Sequence, residues 1–197
     1  MRSIIVTGGF GVLGRAVTEA FRAGGDRVAR IDFAPSASDA NHGGLDIGGV
    51  DLTDAVAAQA AVDRVIDTFG RIDVLVNVAG GFTWEQLRDG GPATWQRMFA
   101  MNALTCVTMT SVALPTLSAT PGAAIINIGA GSAVVAGAGM GAYAASKCAV
   151  HKLTESLAAE LAGTDCTVNA GLPGVIDTPT NRADMPDADF SQWVQPA

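Results

Sequence analysis

Short apolar runs alternate along the chain with longer segments in which apolar residues recur at helical spacing. Residues 3–7 form a short run rich in β-branched side chains, and residues 11–23 repeat one apolar helical face. Strands that alternate with helices in this way are connected by crossovers and are buried on both sides. The pattern therefore predicts the α/β class, with a doubly wound parallel sheet and helices on both faces.

The alternation of strands and helices continues along the chain, and its length is typical of one domain, so residues 1–197 are predicted to form a single domain. Residues 34–49, rich in Ala, Ser, Gly and Asp, are predicted to be an exposed connection, and Thr53 or Asp54 is predicted to cap the helix that follows. The predicted strands are 3–7, 27–33, one ending near 50–52, 73–78, 123–128 and 166–170, and the predicted helices are 11–23, one ending at 69, 92–117 and 141–161.

Composition narrows the classes of partner. The 12 basic and 19 acidic residues give a net charge of −7, which argues against nucleic acid and anionic membranes as partners. The N-terminus lacks a signal-peptide core, and no stretch approaches the ~20 apolar residues needed to span a membrane. The chain has three cysteines, Cys106, Cys148 and Cys166, and this odd number favours reduced thiols and a cytoplasmic location. Neither the cysteines nor the two histidines, His42 and His151, have the spacing of metal ligands, so we expect no metal.

A glycine-rich turn, TGGFGVLG at 7–14, lies between the first predicted strand and the first helix. Glycines there let the backbone approach a pyrophosphate, whose negative charge meets the free N–H groups of the helix N-terminus. Plain turn chemistry is the alternative. On the first interpretation this is a Rossmann-type dinucleotide site with predicted contacts at Gly8, Gly9, Phe10, Gly11, Val12 and Leu13.

Two acids follow the turn. Asp32 ends the second predicted strand, 32 − 14 = 18 residues after Gly14 and near the ~20 typical of an acid that binds the adenosine ribose. A carboxylate there repels a 2′-phosphate, so the residue favours NAD(H) over NADP(H), unless it is simply a solvated acid at a strand end. Asp51, next to Leu52, either accepts from the adenine amino group or caps the next helix.

Tyr143 and Lys147 are four residues apart on a predicted helix and therefore project from one face. A tyrosine has a pKa of about 10 in water, and lowering it to about 7 needs roughly 4 kcal/mol of differential stabilisation. A neighbouring ammonium and the positive charge of a bound nicotinamide are interactions of that kind. The phenol then acts as an acid or base during hydride transfer. Taken alone, such a pair more often has a structural role, and it is the preceding Rossmann-type motifs that favour the catalytic one.

With these motifs in place, the chain resembles the short-chain dehydrogenases/reductases over essentially its whole length. The resemblance implies that Lys147 also holds the nicotinamide ribose, that Asn102 supports a proton-relay water, and that the segment from Pro173 to Thr178 lies along the nicotinamide. It also implies homodimers or homotetramers formed through the two long helices. The further cofactor contacts that it implies are Val78, Ala79, Gly80, Pro173, Gly174, Val175 and Thr178.

The sequence departs from the family pattern at three points. Val12 stands where the turn usually has a glycine, and Ala130 stands where the catalytic serine is expected, 143 − 13 = 130. Ser132 is the nearest hydroxyl, but two extended residues span about 6.6 Å, which puts it out of reach unless the loop curls back. The family usually continues through another helix and a last parallel strand, so the predicted sheet lacks that strand and the C-terminal end is expected to be truncated.

At the first two of these departures the sequence resembles the dihydropteridine reductase-like branch of the family. The block DTPTNRADMPDADFSQW at 177–193 resembles the same branch. That branch passes hydride from NADH to a quinonoid dihydropterin, an electron-poor ring that tolerates a missing serine. The expected acceptor is therefore a small carbonyl or a quinonoid, pterin-like compound. Phe82 and Trp84 either stack on a flat substrate or pack internally, and Arg182 either pairs with a polar substrate or lies in solvent.

A different class of function also fits the sequence. Ala130 and the early end of the chain are compatible with a protein that binds a dinucleotide as a sensor or scaffold with little or no turnover. NADH binding without oxidation by any acceptor distinguishes this alternative from the reductase.

Overall fold

The computed structural model describes residues 1–35 and 44–196. Six parallel strands form one sheet in the order β3-β2-β1-β4-β5-β6, and every neighbouring pair is parallel. The direction of strand addition reverses between β1 and β4, which is the position where sheets of this kind bind ligands. The strands are β1 Ser3–Thr7, β2 Arg27–Ile31, β3 Leu45–Ile47, β4 Val74–Asn77, β5 Ala124–Ile128 and β6 Thr167–Gly171.

The helices lie between these strands and cover the sheet. Asp54 begins α2, because its carboxylate accepts from the backbone N–H groups of Val56 and Ala57, so the expected N-cap is confirmed at the second of the two positions. The helices are α1 Val12–Ala23, α2 Ala55–Phe69, α3 Pro92–Met98, α4 Thr105–Ser118, α5 Gly141–Glu160 and the short α6 Pro179–Asp184. The doubly wound parallel fold predicted from the alternation of apolar runs is thus confirmed.

The third strand was predicted in the wrong place. It was expected to end near 50–52, but the structure has it at Leu45–Ile47, inside the segment predicted to be an exposed connection. Leu45 pairs with Ala29 and Ile47 with Ile31, so hydrogen bonds to β2 define this strand. The rest of that predicted connection at 36–43, including His42, lies outside the described residues.

The helix predicted at 92–117 is continuous but not uniform. A π-helical turn, Phe99–Leu104, separates α3 from α4 and contains Asn102. Such turns insert one extra residue and are frequent at functional sites. The whole stretch Pro92–Ser118 is long and apolar enough, by length and composition, to cross a membrane, which corrects the expectation that no stretch reaches that length. Its α4 portion packs against α2 and β4, as the core helix of a folded domain does.

The core lies on both sides of the sheet. One side is large and is built from the inward faces of α2, α4 and the strands, with Ile5, Leu75 and Ile125 fully buried. The other side is smaller and contains Ile4 and Val6, with residues of α1 packed against it. Two-sided burial explains why the central strands are apolar without alternation.

We expect Gly14→Ala to lower the free energy of unfolding by about 1–3 kcal/mol, because overpacking a tight contact costs about that much. A methyl group at Gly14 would overlap the carbonyl oxygen of Gly8, and backbone cannot move aside as a flexible side chain can. Urea unfolding without cofactor measures the change. Gly11→Ala is the matched control, since its methyl group meets Gly8 at an ordinary 3.4 Å and should cost no more than about 1 kcal/mol through the weaker N-cap. Equal losses in both variants would contradict this packing.

Candidate active site

Two neighbouring cavities lie at the carboxyl ends of the strands. The larger, a groove of about 780 Å³, runs across the ends of β1, β2 and β4. The smaller, of about 360 Å³, lies beside α5 and the loop that follows β5. They adjoin along the chain, because Gly80 lines the groove while Phe82 lines the smaller cavity, and Thr178 lines the groove while Ile176 lines the smaller cavity.

The glycine turn forms the floor of the groove. Gly8 has a positive φ of 62°, which favours glycine, and its carbonyl oxygen accepts from the N–H of Gly11 at 3.1 Å. Gly11 is the N-cap of α1 and supplies no side-chain cap, so the first N–H groups of the helix have no side-chain acceptor there. A helix start of this kind is suited to an anion.

Of two positions in the turn, Val12 lines the groove as predicted and Gly9 does not. Val12 is 43% exposed and lines the groove, so its side chain, rather than a glycine, faces the space there. Gly9 does not line the groove. It packs on β2, where a methyl group would come within 2.6 Å of the Cβ of Arg30. Gly9 therefore allows the turn to lie against the strand and is not one of the groove-lining contacts.

Asp32 lies at the end of β2 and lines the groove. One of its carboxylate oxygens accepts from the N–H of Phe10 at 2.9 Å, and the other accepts from the N–H of Ala34 at 3.0 Å. The carboxylate thus fixes the glycine turn as well as presenting negative charge to the groove. Next to it, Arg30 is fully buried, pairs with Asp46 at 2.7 Å and lies over the ring of Phe10.

The far end of the groove is lined by Val50, Asp51 and Leu52. Asp51 does not cap α2, because Asp54 does so, and this removes one of the two roles considered for it. Instead, one oxygen of Asp51 accepts from the N–H and the hydroxyl of Thr53 at 2.9 and 2.7 Å, and these hydrogen bonds lower the pKa of Asp51.

Tyr143 lines the smaller cavity, with its ring edge-on to Phe82 at a centroid distance of 5.0 Å. Burial raises the pKa of the phenol above its ordinary value. Pro173, Gly174 and Val175 line the same cavity and not the groove. Of the two aromatic residues considered for stacking, Trp84 is engaged elsewhere, since its indole N–H donates to the carbonyl oxygen of Ala138 at 3.0 Å.

Lys147 lies one helical turn after Tyr143 and is only 5% exposed. Its ammonium donates to the carbonyl oxygen of Ile128 at 2.8 Å, at the end of β5. Burial lowers the pKa of Lys147 to about 8, because removal from water disfavours the charged form. The residue is not among those that line the two cavities, but its ammonium lies beside Gly80, which lines the groove, 3.4 Å from where a Cβ on that glycine would stand.

Asn102 links three parts of the site from within the π-helical turn. Its amide oxygen accepts from the N–H of Gly81 at 2.9 Å, and its amide nitrogen donates to the carbonyl of Gly81 and the hydroxyl of Ser146, both at 3.0 Å. Ser146 in turn donates to the carbonyl oxygen of Tyr143 at 2.7 Å. This chain of hydrogen bonds positions the start of α5 relative to the loop after β4.

The loop that carries Ala130 and Ser132 does curl back. Gly131–Ala133 form a 3₁₀ turn, and Ser132 lines the same cavity as Tyr143. The hydroxyl oxygen of Ser132 is buried and has no hydrogen-bond partner in the described part of the chain. The start of the turn is fixed by His151, whose Nε2 accepts from the N–H of Ala130 at 3.2 Å. His151 is therefore half-buried against the site.

Sequence reasoning missed several residues that shape the site. The hydroxyl of Thr7 accepts from the N–H groups of Val78 and Ala79, both at 3.1 Å, and a threonine at a strand end was the only available indication of this. Ser146 and His151 act through contacts distant in sequence, so no local pattern reveals them. Further residues that line the groove and were not predicted are Phe33, Ala34, Arg97, Ala100, Met101, Thr105 and Thr180.

Comparison with known proteins now identifies the family. The sequence pattern of the short chain dehydrogenases matches residues 2–189, so the chain belongs to the short-chain dehydrogenase/reductase family and is an oxidoreductase. Family members generally use NAD or NADP. The family and fold implied by the sequence motifs are thereby confirmed.

Individual relatives act on different substrates. An uncharacterised short-chain type dehydrogenase/reductase of Sinorhizobium fredii is 36% identical over 187 residues, covering 90% of this chain and 33% of that protein, so the chain spans about a third of it. The 2-(S)-hydroxypropyl-CoM dehydrogenase 3 of Xanthobacter autotrophicus is 30% identical, covering 98% of this chain and 78% of that protein. The ligand-free aldohexose dehydrogenase of Thermoplasma acidophilum matches with a TM-score of 0.85 at 26% identity, covering 96% of this chain and 74% of that one.

Proposed function

We propose that this protein is an NADH-dependent reductase of small carbonyl compounds, with Tyr143 as the proton donor and Lys147 adjusting its acidity. The observation that carries the proposal is the junction of the two cavities: a groove suited to a dinucleotide adjoins a smaller cavity lined by Tyr143. NADH oxidation by the purified protein, followed by absorbance with a panel of ketones and a quinonoid dihydropterin, tests it. Tight NADH binding without oxidation by any acceptor would favour a sensor instead.

The residues of the groove fit a dinucleotide. The start of α1 offers backbone N–H groups to a pyrophosphate, and the closeness of Gly14 to Gly8 brings that helix against the turn. Asp32 is suited to accept from the ribose hydroxyls and to repel a 2′-phosphate, so we propose a preference for NADH over NADPH. A bound nicotinamide supplies the hydride.

Tyr143 is proposed to hold the transferred proton on its hydroxyl oxygen. Burial raises the pKa of the phenol, which favours the neutral form that can donate. The ammonium of Lys147, one helical turn later on α5, is proposed to oppose this effect and to make the proton easier to release. Asn102 and Ser146 hold the first turn of α5 and thereby the ring. This arrangement supports reduction, with the proton moving to the substrate oxygen as hydride reaches its carbon.

Ser132 is proposed to supply the hydrogen bond that Ala130 cannot. Its hydroxyl is buried at the cavity without a partner among the described residues, and an unpaired buried hydroxyl costs free energy that a substrate oxygen would recover. A second candidate acceptor is a quinonoid dihydropterin. Ala130 favours it, because such an electron-poor ring needs less help from a hydroxyl than a ketone does. The acceptor panel distinguishes these candidates.

We also propose a homodimer or homotetramer in the cytoplasm. Four large apolar side chains on the helix Pro92–Ser118, three to five residues apart, are between 41% and 52% exposed, and exposed apolar side chains that recur along one helix favour an interface between subunits. The side chains that support this proposal are Trp95, Phe99, Leu104 and Val107.

We propose that the ammonium of Lys147, beside Gly80 at the groove, donates to the bound cofactor, so NADH affinity is expected to fall as the pH rises through about 8, where Lys147 loses its proton and this charge-assisted hydrogen bond is weakened. Such a bond contributes about 1.5–3 kcal/mol, so the Kd should increase by roughly tenfold or more once the lysine is neutral. Fluorescence titration of NADH across this range measures the change. Lys147→Met should bind weakly with a flat pH profile, whereas a steep profile in that variant would contradict the assignment.

A further inference from the structure

The smaller cavity is without formal charge. Of the fifteen described residues that line it, none is Asp, Glu, Lys, Arg or His. Its walls are mainly apolar, with Phe82, Val135 and Met140 among them. Its polar side chains are Tyr143, Ser132 and Asn181.

Two cationic residues next to the lining residues are already engaged by other groups. Arg182, next to the lining residue Asn181, forms two hydrogen bonds to the carboxylate of Asp177 at 2.6 and 2.7 Å and lies over the ring of Phe190 at 4.6 Å. These bonds, with one from Gln195, lower the pKa of Asp177 to about 2, so the pair is charged and self-neutralised. The charge of Arg182 is therefore already paired with that of Asp177. The Lys147 ammonium lies behind the wall, on the carbonyl of Ile128.

The polar groups of the cavity also limit the substrate. The side-chain nitrogen of Asn181 donates to the carbonyl oxygen of Ile176 at 2.8 Å, which holds that residue in place. Tyr143 and Ser132 are the hydroxyls that line the cavity, and they suit one carbonyl or alcohol oxygen. A substrate with several hydroxyls, such as an aldohexose, would leave the others against apolar walls without partners.

We propose that the smaller cavity selects small, neutral ketones with apolar substituents, or the matching secondary alcohols, and rejects anionic ones. This proposal rests on the proposed reductase function. A carboxylate or sulfonate placed there would lose water without gaining a cation, and an unpaired buried charge is the most costly group to accommodate. The volume of about 360 Å³ is near the lower end of the range of about 300–1,000 Å³ for ligand pockets, which favours a small substrate.

Three acceptors of similar shape test the selection by charge. Para-methylacetophenone is apolar, para-acetylbenzamide is neutral but polar, and para-acetylbenzoate is anionic. We expect kcat/KM with NADH to fall in that order, with the benzoate roughly 100-fold or more below the methyl compound, since an unpaired buried charge is disfavoured far more strongly than a buried amide. The amide separates charge from polarity and size. Equal kcat/KM values for the amide and the benzoate would overturn the proposal.

A pair of variants tests whether this cavity is responsible. Val134 and Val135 are neighbours and are 72% and 79% exposed, but only Val135 lines the cavity. Val135→Arg should raise the benzoate-to-methyl ratio of kcat/KM by up to about fivefold, since a partly exposed charge pair contributes at most on the order of 1 kcal/mol. Val134→Arg should leave the ratio unchanged. An equal change in both variants would assign the effect to the general charge of the surface and would overturn the proposal.

Acceptor binding and acceptor reduction are measured separately, so that a failure of the proposed selectivity can be distinguished from a failure of the proposed reductase function. Saturation-transfer NMR with NADH present reports which acceptors bind, whether or not they are reduced. If every acceptor is reduced with equal efficiency, the substrate class is wrong and the reductase function stands. If none is reduced, the reductase function fails. In that case preferential binding of the methyl compound still supports the selectivity of the cavity, and equal binding refutes it.

Discussion

Tyr143→Phe is expected to lower kcat by about 10²–10⁴-fold, the usual contribution of a positioned general acid. The substitution removes only the hydroxyl, and the edge-on packing against Phe82 at 5.0 Å can remain. Because the ring lines the smaller cavity and not the groove, NADH affinity should stay within a few-fold. Steady-state kinetics with the best ketone and a fluorescence titration of NADH measure the two effects.

Ser132→Ala is the matched comparison in the same cavity. It removes a hydroxyl that is proposed to bind the substrate oxygen but to transfer no proton, so the expected loss in kcat/KM is about tenfold, the value of one neutral hydrogen bond. Retention of full activity by Tyr143→Phe would exclude the phenol as the acid. A loss in Ser132→Ala as large as that in Tyr143→Phe would instead assign proton transfer to the serine.

Asp32→Ala is expected to reduce the preference for NADH over NADPH by about 100-fold. Loss of hydrogen bonds to a charged group costs about 1.5–3 kcal/mol, which weakens NADH, while NADPH gains from the removal of repulsion against its 2′-phosphate. Titrations with both cofactors measure the ratio of Kd values.

The carboxylate of Asp32 also accepts from the N–H groups of Phe10 and Ala34, so alanine disturbs the glycine turn as well. Asp32→Asn is the control, because it keeps the side-chain shape and one of the two acceptor oxygens and removes the charge. A preference that shifts in Asn as much as in Ala assigns the selectivity to charge. An unchanged preference in both variants would remove Asp32 from ribose recognition.

The elements that the sequence predicted well are those whose pattern is local. The buried strand β1 matches its apolar run residue for residue, and Asp54 caps α2 through hydrogen bonds to residues two and three positions later. The strand β3 could not be predicted in this way. This strand has only three residues, and two of them are partly exposed. They form a strand because they pair with β2, a contact between residues distant in sequence.

The same distinction between local patterns and long-range contacts applies to the candidate site. The glycine turn, Asp32 and the Tyr143–Lys147 spacing are local patterns, and the structure brings all of these residues except Thr7, Gly9 and Lys147 to a cavity wall. The reach of Ser132 depended on whether a glycine-rich loop curls, and that loop has no strong local preference. Its turn begins at a residue fixed by His151, 21 positions away. Hydrogen bonds between residues so far apart in the sequence produce no periodic pattern from which they could be predicted.

The transfer of deuterium from NADH deuterated at its hydride-donating carbon tests the central claim most directly. The acceptor is para-methylacetophenone, and mass spectrometry of the product detects the label. Reduction by this site predicts an alcohol with one deuterium on the former carbonyl carbon and a hydroxyl proton that comes from solvent through Tyr143, with far slower labelling in Tyr143→Phe. NADH bound at the groove with no deuterium in any ketone or dihydropterin would contradict the account and identify a dinucleotide-binding protein without turnover.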